Sequence, residues 1–132
     1  MASREIRPPQ GFGQGNGVAL GGWAVISSPI LEGMRHSGHG ASLPQAVSGG
    51  SVELVGGVFM DDTYLVEALT YDDPFGLETV ARGQLGLDQF VGEIRATGGD
   101  VRPDKCWWYL INFAWKEGKW QYVDIGKEDP SL

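Results

Sequence analysis

Two β-prone runs, SVELVGGVF (residues 51–59) and TYLVEAL (residues 63–69), stand so close together that the chain must reverse tightly between them. They predict a hairpin over residues 51–69 with Asp61 and Asp62 near its tip. That corner is chemically unusual. A tight β reversal ordinarily asks for Asn-Gly or Asp-Gly, whereas two adjacent carboxylates repel each other. A divalent cation would offset the repulsion, and hard carboxylate oxygens are what Mg²⁺ selects.

A second acidic pair, Asp72 and Asp73 in YDDPF, has a different explanation. Asp73 followed by Pro74 reads as a helix N-cap with proline at the first helical position. The helix opened there is expected over residues 74–97, with Val80, Leu87, Val91 and Ile94 on one stripe, joined by Phe90. ATGG ends it, with glycine supplying a left-handed cap. Upstream, Leu20, Trp23, Ile26 or Ser27, Ile30 and Met34 recur at helical spacing and predict a helix over residues 18–35, despite Gly21, Gly22 and Pro29. Residues 1–17 form a Gly/Pro-rich loop, and His36–Gly50 reads as a polar connector. After the turn DVRPDK, the block 105–125 predicts a C-terminal hairpin of CWWYLINFAW and KWQYVDI about Glu117 and Gly118. The order is loop, helix, hairpin, helix, hairpin, which is an α+β fold of antiparallel hairpins packed against two helices.

With 132 residues the chain holds one domain at most, and no apolar run approaches the roughly 18 residues needed to cross a bilayer. MASREIRPPQ lacks the apolar stretch of a secretory signal, and the single cysteine, Cys106, fits a reducing compartment. A soluble intracellular protein without a membrane partner is expected. The formal net charge of −7 argues against gripping nucleic acid through the chain's own charge.

Other motifs are weaker. GFGQGNG fails the G-x-G-x-x-G spacing and lacks G-K-[ST], so neither dinucleotide nor P-loop binding follows. His36, His39 and Cys106 are scattered over loop and strand, which does not suit zinc. Trp107, Trp108 and Tyr109 are able to stack bases, but alternating aromatics on a strand read first as core.

Taken in order, Gln14 and Gly15 opening a helix, FMDD some forty-odd residues later, a second helix, and ATGGDVRPDKCWWYLI resemble the palm of reverse transcriptases of the retroelement type. The resemblance spans most of the chain. It implies a partial palm of an RNA-directed DNA polymerase, with Asp61 and Asp62 as catalytic residues and ligands of Mg²⁺ (or Mn²⁺). It further implies Gln14, Gly15 and Lys105 as nucleotide- or template-binding residues, and a template-primer of RNA or DNA with a deoxynucleoside triphosphate as partners.

Two departures qualify it. Gly13 replaces the proline usual before Gln-Gly. The family's earlier aspartate motif and basic fingers residues have no counterpart before Arg7, so the chain resembles the C-terminal part of a palm, with an N-terminal segment as its missing partner. Alone it is expected to show little or no polymerase activity. The rival expectation is a non-catalytic α+β module, a retroelement relic or interaction domain, in which the acidic pair is only a turn.

Overall fold

The computed structural model describes residues 17–59, 62–69 and 73–124. The fold is α+β. In chain order come α1 (Gly17–His36), β1 (Ala41–Pro44), β2 (Ser51–Leu54), β3 (Gly56–Phe59), β4 (Asp62–Leu65), α2 (Leu77–Ala96), a 3-10 turn at Pro103–Lys105, β5 (Phe113–Lys116) and β6 (Lys119–Tyr122). The strands form three separate antiparallel pairs, β1 with β2, β3 with β4 and β5 with β6.

The apolar spacing of α1 buries Ile30 and Met34 together with Ser27, and half-buries Trp23, Ile26 and Leu31. Pro29 falls on the exposed side, where its missing N–H costs least because water can satisfy the freed carbonyl. From α2, Phe90 and Ile94 meet Ile30, Met34 and Val55 to form the core, with Leu65 and Val101 against its edge. Val80, Leu87 and Val91 of the expected stripe are half-buried.

Both helices end alike. At the end of α1, Gly38 donates to Arg35 O at 3.0 Å and His39 to Met34 O at 3.1 Å. At the end of α2, Gly98 donates to Arg95 O at 3.0 Å and Gly99 to Ile94 O at 3.1 Å. These are Schellman motifs, and each needs a residue at positive φ, here Gly38 (85°) and Gly98 (87°). The ATGG stop acts as its sequence suggests.

Four expectations need correction. First, α2 starts at Leu77 rather than Pro74. Asp73 still caps it, but from further upstream: its Oδ2 accepts from the N–H and the hydroxyl of Thr79, both at 2.8 Å, across a turn closed by Gly76 N–H to Asp73 O at 2.9 Å.

Second, SVELVGGVF is not one strand. Val55 turns into the core and divides it, so that Ser51–Leu54 pairs backward with β1 and Gly56–Phe59 pairs forward with β4. Third, the connector His36–Gly50 therefore contains a strand, Ala41–Pro44, whose loop is closed by Gln45 N–H to Gly50 O at 2.8 Å.

Fourth, the C-terminal aromatics are not core. The pairing about Glu117 and Gly118, both at positive φ, covers only residues 113–122, and Trp107, Trp108 and Tyr109 are exposed.

Candidate functional site

The β3–β4 hairpin is assembled around glycine. Its register pairs Gly56 with Leu65, Gly57 with Tyr64, Val58 with Thr63 and Phe59 with Asp62. A Cβ at Gly56 would lie 2.2 Å from the Tyr64 carbonyl oxygen, and one at Gly57 would lie 2.5 Å from the Tyr64 hydroxyl oxygen. The two glycines thus let the partner strand and its tyrosine lie close against the backbone. The root of the hairpin is fixed by buried Val55, by Leu65 against the core, and by Val66 N–H donating to Val55 O at 2.8 Å. β4 also touches α2. The tip points away from this anchorage, with Phe59 and Asp62 exposed.

Of the predicted site residues, Asp62 opens β4 as an exposed carboxylate, with no hydrogen bond or ion pair to its side chain among the described residues. Asp61 lies outside the described residues, as do Gln14 and Gly15. Lys105 ends the 3-10 turn, exposed, beside an Arg102–Asp104 fork whose two bonds measure 3.0 and 2.7 Å. The hydrogen bonds from Arg102 hold the Asp104 carboxyl below the ordinary aspartate range. No bond links Asp62 to Lys105. An exposed, unengaged carboxylate suits Mg²⁺, which takes one or two protein carboxylates and completes its shell with water and phosphate oxygens. No group of three or more potential ligands (His, Cys, Asp or Glu) occurs among the described residues.

A second polar cluster escaped the sequence reading. Glu67, just past β4, has a side chain only 10% exposed. One of its oxygens meets His39 Nδ1 at 3.0 Å, and the other accepts from Arg82 Nε at 3.1 Å. Arg82 also donates to Gly38 O at 2.6 Å. The loop after α1, the segment after β4 and the second turn of α2 are thereby tied together beside an open cleft of about 280 Å³, lined in part by Arg35, Ser42 and Glu53. Both Glu67 oxygens are engaged, so the cluster acts as a clamp on the fold. Its members come from segments far apart in the chain, and the one signal in the sequence is an acid inside the otherwise apolar run TYLVEAL. His36 meets Glu32 at 3.2 Å, so the two histidines face different glutamates.

Among the described residues no helix is long and apolar enough to cross a membrane. No family model, no curated protein and no solved structure matches the chain.

Proposed function

We propose that the chain is the C-terminal part of a reverse-transcriptase-like palm, whose β3–β4 tip carries a metal-binding carboxylate pair for nucleotidyl transfer to a primer 3′-hydroxyl. The observation that carries this reading is the hairpin: it is anchored at its root in the core and pairs Phe59 with Asp62, leaving residues 60 and 61 as the connection. It follows one long helix and precedes another, in the order that the resemblance implies.

In this reading Asp61 is the direct ligand of Mg²⁺ or Mn²⁺ and Asp62 the second. Asp61 and Asp62 would hold the ions, whose charge would favour the attacking and leaving oxygens when a primer 3′-hydroxyl displaces pyrophosphate from the α-phosphate of a deoxynucleoside triphosphate. Gly15 allows the backbone close to the templating pair, with Gln14 nearby, and Lys105 assists near the triphosphate. The first aspartate, and the cationic surface that a chain of net charge −7 lacks, would come from another segment or partner. The chain alone therefore has little or no polymerase activity.

Primer extension on an RNA template with Mg²⁺, run beside Mn²⁺ binding, tests this. The expected result is negligible extension together with metal binding that the Asp61→Asn/Asp62→Asn variant loses. Metal binding unchanged in that variant would overturn the site, and extension that Asp61→Asn abolishes would overturn the inactivity of the lone chain. The exposed aromatics of the C-terminal hairpin favour a second reading, a non-catalytic interaction module with an acidic turn. That reading expects no metal binding at the tip.

A further inference from the structure

The β3–β4 hairpin has two unlike faces. Cross-strand partners share a face and neighbours along a strand alternate, so the register sets Gly57, Phe59, Asp62 and Tyr64 on one side and Gly56, Val58, Thr63 and Leu65 on the other. Leu65 packs against the core, which turns the first set outward. There Phe59 is 71% exposed and Tyr64 57%, and Asp62 is the one charged residue of that face among the described residues.

Tyr64 is seated on glycine. A Cβ built on Gly57 would lie 2.5 Å from its hydroxyl oxygen and 2.7 Å from both Cε1 and Cζ, so the far end of the ring fills the room that a side chain at residue 57 would take. The neighbouring strand backs the ring, yet more than half of the side chain stays open to solvent. An aromatic ring held in this way loses little freedom when a flat ligand stacks on it. Two residues along a strand span about 7 Å, which sets the distance from this ring to the Asp62 position at the tip.

A ligand that uses both features needs a flat unsaturated part for Tyr64 and, beyond a sugar-sized spacer, oxygen anions for a divalent ion at Asp62. A nucleoside triphosphate has both. We infer that Tyr64 stacks on the base of a nucleotide whose phosphates are drawn to the hairpin tip, which rests on the reading of Asp61 and Asp62 as metal ligands. Charge sets a condition. The chain carries −7 and Asp62 shares the face, so a polyphosphate is repelled unless a divalent cation is present. Stacking on Tyr64 should therefore depend on Mg²⁺, and a purine, which covers more of the ring, should bind more tightly than a pyrimidine.

Side-chain NMR of the full chain reads this without any variant. With Mg²⁺ present, deoxyadenosine triphosphate should shift the Tyr64 ring protons upfield. Inorganic tripolyphosphate should perturb the amides of Phe59, Asp62 and Thr63 and leave that ring unmoved. Tyr64→Leu should weaken nucleotide binding on the order of 10-fold with unchanged Mn²⁺ affinity, and Tyr64→Phe should retain it. Gly57→Ala, which displaces the ring but keeps it, should weaken binding as well. A Tyr64 ring that stays unshifted while the tip amides respond to the nucleotide, or undiminished affinity in Tyr64→Leu, would overturn the stacking role and leave the metal site standing. Tip amides that ignore Mn²⁺ would overturn the metal site and this inference with it.

Discussion

Partial burial pushes the Asp73 carboxyl up, but the N–H and hydroxyl of Thr79 and the N–H groups of Glu78 and Leu77 outweigh it and hold it below the ordinary aspartate range. A carboxylate with a depressed folded-state pKa contributes stability that is full above its unfolded pKa and is lost as pH falls through the folded one. Asp73→Asn should therefore remove part of the acid-induced loss of stability below about pH 4, as read by urea denaturation at successive pH values. Asp73→Ala should cost about 1 kcal/mol at neutral pH, the usual worth of a cap. The Glu67 clamp is a separate case. Glu67→Gln keeps the shape but removes the charge that faces Arg82 and His39, and should cost about 2 kcal/mol in the same measurement. Asp73 was legible because proline follows it directly. Glu67 was not, because its partners lie 28 residues before and 15 after it.

At the scale of elements, the root of the β3–β4 hairpin makes a sharper distinction than its sequence does. Gly56→Ala would drive a methyl into the Tyr64 carbonyl oxygen, which only a backbone shift relieves, and should cost about 2 kcal/mol. Gly57→Ala meets the Tyr64 ring instead. Tyr64 is 57% exposed and free to swing outward, so that variant should cost less than about 1 kcal/mol. Thermal unfolding followed by circular dichroism separates the two. Element identity was legible wherever periodicity and punctuation agreed: α1 and α2 from their apolar spacing, the end of α2 from ATGG, and the last turn from Glu117-Gly118. β1 was not. ASLP has no alternation and ends in proline, and it is a strand only because Ser51–Leu54 lies beside it.

At the scale of the whole molecule, a core of Ile30, Met34, Val55, Phe90 and Ile94 holds both helices and the root of the hairpin. Phe90→Ala should cost about 3–5 kcal/mol, enough to threaten folding of so small a domain. Trp115→Ala should cost no more than about 1 kcal/mol of unfolding free energy, the worth of its cross-strand contact with Trp120, because that ring lies outside the core. Composition could not reveal this division. Aromatic residues on a β-prone run carry the same sequence signal whether they face a core or solvent, and here Trp107, Trp108, Tyr109, Trp115 and Trp120 are exposed. Of the predicted hairpin, the reversal between Phe59 and Asp62 was legible, with Asp62 exposed at the start of the returning strand.

The claim that this reversal binds a divalent cation is tested most directly by backbone amide NMR during a Mn²⁺ titration. Paramagnetic broadening should begin at Phe59, Asp62 and Thr63, spare α1 and the His39–Glu67 clamp, and vanish in Asp61→Asn/Asp62→Asn. Broadening that starts elsewhere, or that persists at the tip in the double variant, would contradict the account.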